Sequence, residues 1–479
     1  AVHNWRTINF KSTCDDTFSL LDNCSIKFSG YNSNGGVTYT DAAANLSNTT
    51  ISDSYFGVKC EGSSTPNVDW VSIQNCSADP IAMSLKSNPT FTNITFAANG
   101  SSGIKILEGT LASDATLAKR DVAGINNIAY IIDDLIIAPT AKLTINPGVV
   151  IKYNFGSYRI YSINVQGALI ANGTTSERIV FTSIADDSKG GDTNNDGNSS
   201  VPNRGDWRSI QFNSSTLANE NLLTNCDIRY GGNTLWLYDY NWGSVRIFSA
   251  YVDINNCIIE QSESSGIGVF GSATPSISNT QINNISYTPI AMSMFANPTF
   301  SNNTALNIGI IALGIVPENY SLDATVPQRN FAGYNNITYY LFGTNTINSG
   351  TKITIQEGTI FKGGKLNVNG ALTIAGSSSN PVVFTDVKDD EYGNPMDTND
   401  DGTASTPSVT STRIQFYDVS DDANSTIDNA IFKYSDIAIS LDQASPTLTN
   451  LTFNKDNWGV YLTGVSKPVI DNCSFDDLK

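Results

Sequence analysis

The stretch Ile277–Ile282 reads ISNTQI, and the phrase returns at Ile470–Phe475 as IDNCSF. Its form is an apolar residue, any residue, Asn, two residues of any kind, then an apolar residue. FTNITF from Phe91, FSNNTA from Phe300, IDNAIF from Ile427 and LTNLTF from Leu448 are variants of it. Asn256, Asn279 and Asn302 stand 23 residues apart, while Asn429, Asn450 and Asn472 stand 21 and 22 apart. Between the phrases lie short runs such as GIGVF (Gly266–Phe270) and GVYL (Gly459–Leu462), and turns ending at Pro275, Pro446 and Pro468. Alternation sends one side chain inward and the next outward. Gly, Asn, Asp and Ser supply the turns between such strands. A repeat of roughly 22 residues holding two or three short strands is the unit of a β-solenoid. The expected fold is therefore all-β, a single-stranded parallel β-helix of about 20 coils running continuously over 1–479. The recurrent Asn is expected to face inward, its amide bonded to the turn of the next coil.

A longer period lies over the short one. PIAMS at Pro80–Ser84 recurs at Pro289–Ser293, NPTF at Asn88–Phe91 recurs at Asn297–Phe300, and VAGINNIAY from Val122 answers to FAGYNNITY from Phe331, all 209 residues apart. LTINPG at Leu143 matches ITIQEG at Ile353, and DTNNDG at Asp192 matches DTNDDG at Asp397. DWRSIQF at Asp206 has a partner in NWRTINF at Asn4 and a weaker one in TRIQF at Thr412. The repeats run approximately 1–206, 207–412 and 413–479, the last partial. The favoured reading is a segment of a longer repetitive protein, and the other is a chain whose ends fall mid-repeat.

Three phrases carry a family resemblance: LTINPGVVIKY (Leu143–Tyr153), INVQGALIANGTTSERIVFTS (Ile163–Ser183), and the acidic stretch leading into GDWRSIQF (Gly205–Phe212). With them the whole chain resembles the right-handed parallel β-helix repeat proteins that bacteria export. The resemblance implies a right-handed coil, a loop emerging from the stack, and a secreted or cell-surface location. It leaves function open, because this fold carries adhesins, phage fibres, lyases and hydrolases alike.

Composition narrows the partners. Asp and Glu number 45 against 27 Lys and Arg, a formal charge of −18. Phosphate backbones and anionic membranes both call for clustered cations, so nucleic acid and membrane-surface binding are disfavoured. No apolar run approaches the roughly 20 residues of a membrane helix. Charged residues make up only 15%, so Asn, Ser, Thr and Gly must furnish much of the surface. Five of the seven cysteines follow Asn, at Cys24, Cys76, Cys226, Cys257 and Cys473. A recurring inward slot explains that repetition better than a disulfide framework does, so these thiols are expected to be buried and reduced.

Three constellations are candidates for chemistry. The first is the acidic loop, DDSKGGDTNNDG (Asp186–Gly197) and DDEYGNPMDTNDDG (Asp389–Gly402). Asp192, Asn194 and Asp196, and again Asp397, Asn399 and Asp401, have the D-x-N-x-D-G spacing that presents alternate oxygens to Ca²⁺ around a glycine turn. The EF-hand glutamate is replaced by Asn203 and Ser408, so Asp186, Asp187, Asp389 and Asp390 are the carboxylates expected to complete each site. The alternative is a solvated turn. The second candidate is enzymatic, through acidic pairs such as Asp133–Asp134 and Asp421–Asp422. His3, the single histidine, is a poor base at the chain's start, and no catalytic residue is assigned. The third is an aromatic excursion, with Trp236, Tyr238, Tyr240 and Trp242 between Tyr230 and Phe248, suited to sugar or protein contact or to packing on the coil. The expected role is a calcium-stabilised structural or adhesive rod that meets a cell-surface glycan or protein, or assembles with itself. A polysaccharide-active enzyme and a non-catalytic glycan-binding module are the alternatives. Asn-x-Ser/Thr words at Asn93 and Asn450 read as composition, since an inward Asn would admit no glycan.

Overall fold

From Tyr130 the chain makes one full turn in three strands, Tyr130–Ile132, Leu135–Ile137 and Lys142–Ile145, and arrives at Val150–Tyr153. That fourth strand lies parallel on the first, with Tyr130 opposite Ile151 and Ile132 opposite Tyr153. Gly148, at φ +79°, makes the corner just before it, a conformation that costs a residue with a Cβ. The computed structural model describes residues 4–107, 109–154, 162–215, 217–234, 242–409 and 411–477. Its named strand ladders are all parallel, and its only helical turns among the described residues are the short 3₁₀ segments Ala218–Glu220 and Asp422–Asn424. The fold is a right-handed parallel β-helix. Among the described residues, no helix is long and apolar enough to cross a membrane.

The described residues fall into two compact units, Ala1–Leu235 with Ala250–Glu263, and Trp236–Ser249 with Ser264–Lys479. In the first, the core is a column of residues in register through successive coils: Ile104, Tyr130, Ile151, Phe181, Ile228 and Ile259. All six are inaccessible to solvent. Burying a side chain of this kind contributes about 1.5–3 kcal/mol, and every coil repeats the gain against its neighbours. In the second unit the inward column is aromatic. Tyr339, Phe361, Phe384, Phe432, Phe453 and Phe475 stack ring on ring at 5.3, 5.2, 5.2, 5.5 and 4.8 Å. Those spacings follow the roughly 4.8 Å distance between paired strands, which brings like rings into contact.

The recurrent Asn does not face inward. Asn225, Asn256, Asn279, Asn302, Asn429, Asn450 and Asn472 all have φ between 49° and 56°. They turn the corners of the coil in the left-handed conformation that Asn tolerates best among residues with a Cβ. Asn93, Asn279, Asn302 and Asn450 are exposed. Their amides form a ladder along the outer corner: Asn256 Nδ2 donates to Asn225 Oδ1 at 2.5 Å, Asn302 to Asn279 at 3.3 Å, and Asn472 to Asn450 at 2.5 Å. The steric objection to glycans at Asn93 and Asn450 therefore falls away. The residue after the Asn is the one that turns in. Cys76, Cys226 and Cys257 are buried, whereas Cys24 and Cys473 are half-buried, and all seven cysteines are free thiols.

Candidate metal-binding loops

Each acidic loop leaves the coil at the same kind of place. The first joins strands Ile179–Ser183 and Ser209–Asn213, and the second joins Val382–Thr385 and Ile414–Phe416. Within the D-x-N-x-D-G stretch their hydrogen bonds match position for position. Asp192 accepts the backbone N–H groups of Asp196 and Gly197 at 3.2 and 2.9 Å, and Asp397 accepts those of Asp401 and Gly402 at 3.1 and 2.8 Å. Asn195 and Asp400 have φ of 56° and 54°, and Gly197 and Gly402 have 67° and 69°. Asn194 Nδ2 donates to Asp196 Oδ2 at 2.9 Å, as Asn399 does to Asp401 at 2.6 Å. Ser200 and Ser405 donate their hydroxyls to the same Asp196 and Asp401 oxygens.

These bonds use one side-chain oxygen of each terminal Asp and the amide nitrogen of each Asn. The others are left over. Asp187 Oδ1, Asn194 Oδ1 and Asp196 Oδ1 are buried without a hydrogen-bond partner, and so are Asp390 Oδ1, Asn399 Oδ1 and Asp401 Oδ1. Buried acceptors are ordinarily satisfied, so three orphans at the same three positions of two loops need an explanation. Charge follows the same pattern. Burial, then the charges of Asp192, Asp196 and Asp186, push the Asp187 carboxyl above its usual range, with Lys152 pulling the other way. Asp390 is raised by burial and by Asp397, Asp401 and Asp389, against Lys362. The loops thus hold carboxylates that repel one another.

Asp186 and Asp389 point elsewhere. Asp186 accepts from the Thr182 hydroxyl at 2.6 Å, from Ser188 N and Oγ, and from Arg229 Nη1 at 3.0 Å. Asp389 accepts from the Thr385 hydroxyl and Glu391 N, with Lys433 Nζ at 3.5 Å. The first Asp of each pair anchors the loop to the coil, while the second keeps an unpartnered buried oxygen and feels the charge of the D-x-N-x-D-G acids. The positions of the missing EF-hand glutamate add nothing visible: Asn203 donates its N–H to Asp206 and its amide to Val201 O.

Two lysines that pattern reading passes over support the loops from below. Lys152 and Lys362 are fully buried. Lys152 Nζ donates to Gly191 O at 2.6 Å, and Lys362 Nζ to Asp389 O and Met396 O, both at 2.8 Å. Burial pulls both down to about 8 despite the carboxylates around them. Their one sequence signal is the IKY and FKG words that precede each loop. Each loop also ties back to a much earlier coil. Ser102 N donates to Thr193 O and Ile311 N to Thr398 O, both at 2.8 Å, while Asn195 Nδ2 reaches Asn99 O at 2.9 Å.

The donors on offer are carboxylate, amide and carbonyl oxygens, the set that hard cations take. Among the described residues no three His, Cys, Asp or Glu side chains are gathered into a cage on their own. Any cation held in these loops would need the Asn amide oxygen beside the carboxylates.

The other candidates are dispersed. Asp133 is paired with Lys105 at 2.6 Å, and Asp134 accepts Ser162 N. Asp421 caps the turn at Asn424, and Asp422 accepts Ser445 N. Each acidic pair is occupied in holding turns, and His3 lies outside the described residues. Of the aromatic excursion, Trp236, Tyr238 and Tyr240 also lie outside them. Trp242 packs in the second unit against Phe342 and Tyr287, with ring centroids 4.3 and 5.8 Å away.

A family model described as right handed beta helix region matches residues 5–131. No curated protein gives a significant match.

Proposed function

We propose that this protein is a non-catalytic structural or adhesive β-helix, secreted or displayed on a cell surface, whose two acidic loops each bind one Ca²⁺. The orphaned oxygens carry this reading. A cation at Asp187, Asn194 and Asp196, with Asp192 beside them, satisfies three buried acceptors and neutralises the repulsion that raises Asp187. The same holds at Asp390, Asn399, Asp401 and Asp397. Carboxylate oxygens that already accept a backbone N–H keep a lone pair for a metal. A polysaccharide lyase or hydrolase is the rival reading. The two lysines beneath the loops do not serve it as bases, since Lys152 and Lys362 are sealed there and spent on main-chain carbonyls.

The test is calorimetric titration of Ca²⁺ into chelator-stripped protein, with thermal melting alongside. Two sites are expected, and calcium at about 100 times its Kd adds about 2.7 kcal/mol per site. Asp192→Ala with Asp196→Ala should remove one site and leave the other. Absence of binding heat, with the same melting curve in chelator and in calcium, sinks the metal assignment. Turnover of a polysaccharide by the purified protein sinks the non-catalytic one.

A further inference from the structure

The turn FAGYNN, Phe331–Asn336, folds back on itself through an antiparallel bridge between Phe331 and Tyr334, as VAGINN does between Val122 and Ile125. In the second unit this turn borders a groove of about 360 Å³ whose other wall is Phe300–Thr304. Phe300 and Phe331 meet edge to face at 5.0 Å and form its apolar wall. Tyr334 is half-buried beside them, and Asn302, Asn330 and Asn335 are exposed at the rim. Gly333, at φ +86°, would present a Cβ to open space, so the groove is unobstructed there. No charged side chain lines it, in a chain with 45 acidic residues.

The first repeat supplies an internal control. It keeps Phe91, Asn93, Gly124 and Asn126 at the matching positions, 209 residues earlier. Where the second has Asn330, Phe331 and Tyr334, the first has Asp121, Val122 and Ile125. The turn closes alike in both: Asp121 Oδ1 accepts Asn127 N at 2.7 Å, and Asn330 Oδ1 accepts Asn336 N at 2.9 Å. Closing the turn therefore requires neither the aromatic rings nor the loss of the charge. Aromatic faces beside neutral amides match a sugar ring, whose C–H face packs on π systems while its hydroxyls both donate and accept.

We propose that the groove formed by Phe300, Phe331, Tyr334 and the amides of Asn302, Asn330 and Asn335 binds an uncharged sugar residue of a glycan. This rests on the adhesive part of the function proposed above and names its ligand class. The ring stacks on the Tyr334–Phe300 side, and its hydroxyls meet the Asn335 amide and the groups left over at Asn302 Oδ1 and Asn330 Nδ2. Acidic sugars are excluded because the groove offers no cation.

The probes are neutral glucose, galactose and mannose tetrasaccharides and a tetragalacturonate, each added to the full chain in saturating calcium. Saturation-transfer NMR and calorimetry read the binding. At least one neutral tetrasaccharide should bind, and the uronate should not. Phe331→Val with Tyr334→Ile rebuilds the apolar residues of the first repeat's turn, so it is compatible with the fold, and it should weaken binding at least tenfold. Tyr334→Ala alone should show the same direction. Failure of every neutral probe, a preference for the uronate, or binding indifferent to the double substitution overturns the assignment. The calcium titration contains no sugar, so its outcome stands apart.

Discussion

The two acidic loops are near copies, and what surrounds them is not. In the first unit Asp79, Ser101, Asn154 and Asn194 line a polar cavity of about 440 Å³ beside the loop, with the Ser101 hydroxyl on Asp79 at 2.6 Å. In the second repeat the positions of Asp79 and Ser101 hold Thr288 and Ile310, and the neighbouring Tyr287 packs with Trp242 and Phe342. The anchors diverge too. Arg229 grips Asp186 and Glu260 in one, while Lys433 grips Asp389 and Glu391 beneath the rings of Tyr392 and Tyr434 in the other. Within the D-x-N-x-D-G stretch the Asp, Asn and Ser groups bond to one another, so a change at one disturbs the rest. The flank needs only to cover the coil, so it is free to become polar in one repeat and aromatic in the next.

The largest expected effect breaks the comparison at the anchors. Lys433 and Asp389 are almost completely buried, and Lys433→Ala strands a carboxylate that water cannot reach, at a cost of about 3–5 kcal/mol. Arg229→Ala strands the equally buried Asp186, but it should cost less because the Arg229 side chain is 16% exposed and water can enter the space it leaves. Chemical denaturation of the two variants decides this. A greater loss for Arg229→Ala would mean that the closer contact, 3.0 against 3.5 Å, outweighs burial.

Next in size is a pH effect from one buried carboxyl of the second unit. The strands returning from the loops align through Ile210–Gln211–Phe212 and Ile414–Gln415–Phe416, so Arg413 stands where the first repeat has Ser209. Asp456 is buried near Arg413 and accepts Ser435 N at 2.6 Å. Burial pushes its carboxyl up to about 6, with the Ser435 bonds and Arg413 opposing. A raised folded-state pKa means that the folded form holds its proton more tightly than the unfolded one. The contribution to stability is full below about pH 4 and is lost as pH rises through 6, on the order of 3 kcal/mol in all. Asp456→Asn keeps the acceptor for Ser435 and drops the charge, so its melting temperature should fall less than the parent's between pH 4 and 7. Parallel pH profiles for parent and variant would place the titration elsewhere.

The architecture was legible because it is written many times over. The Asn phrases, the inward Ile and Phe positions and the 209-residue words all report one coil geometry, and no single substitution hides it. The direction of the Asn was misjudged because a period of about 22 marks a corner as well as it marks an inward slot. Only the φ near 50° distinguishes the two. At the loops the D-x-N-x-D-G spacing picked out Asp192, Asn194 and Asp196, but spacing cannot tell which acid of Asp186–Asp187 keeps an unpartnered oxygen. That choice is made by Thr182 and Arg229, 4 and 43 residues away. Lys152 and Lys362 were missed for a related reason: a lysine in a strand ordinarily reads as an outward, solvated residue. The groove at Phe331 and Tyr334 was present only as an aromatic difference between two matching words, which carries meaning once both turns are known to close the same way.

The smallest expected effect tests the outer corner itself. Asn256 and Asn302 occupy equivalent left-handed corners in the two units, but their ladder bonds differ, at 2.5 and 3.3 Å. Replacing either with Ala forces a residue with a Cβ and no polar side chain into that conformation, costing roughly 1–2 kcal/mol. Replacing either with Gly removes the backbone strain and leaves the lost amide bond, worth about 0.5–1.5 kcal/mol, with a small entropic cost. Ala should therefore be worse than Gly at both corners. The Gly variant should be worse at Asn256 than at Asn302, because only the first gives up a close bond at a half-buried site. Equal losses for Asn256→Gly and Asn302→Gly would show that the ladder adds nothing measurable. Asn would then recur every coil for its tolerance of positive φ alone, and the amide stack along the corner would be a consequence of the coil rather than one of its supports.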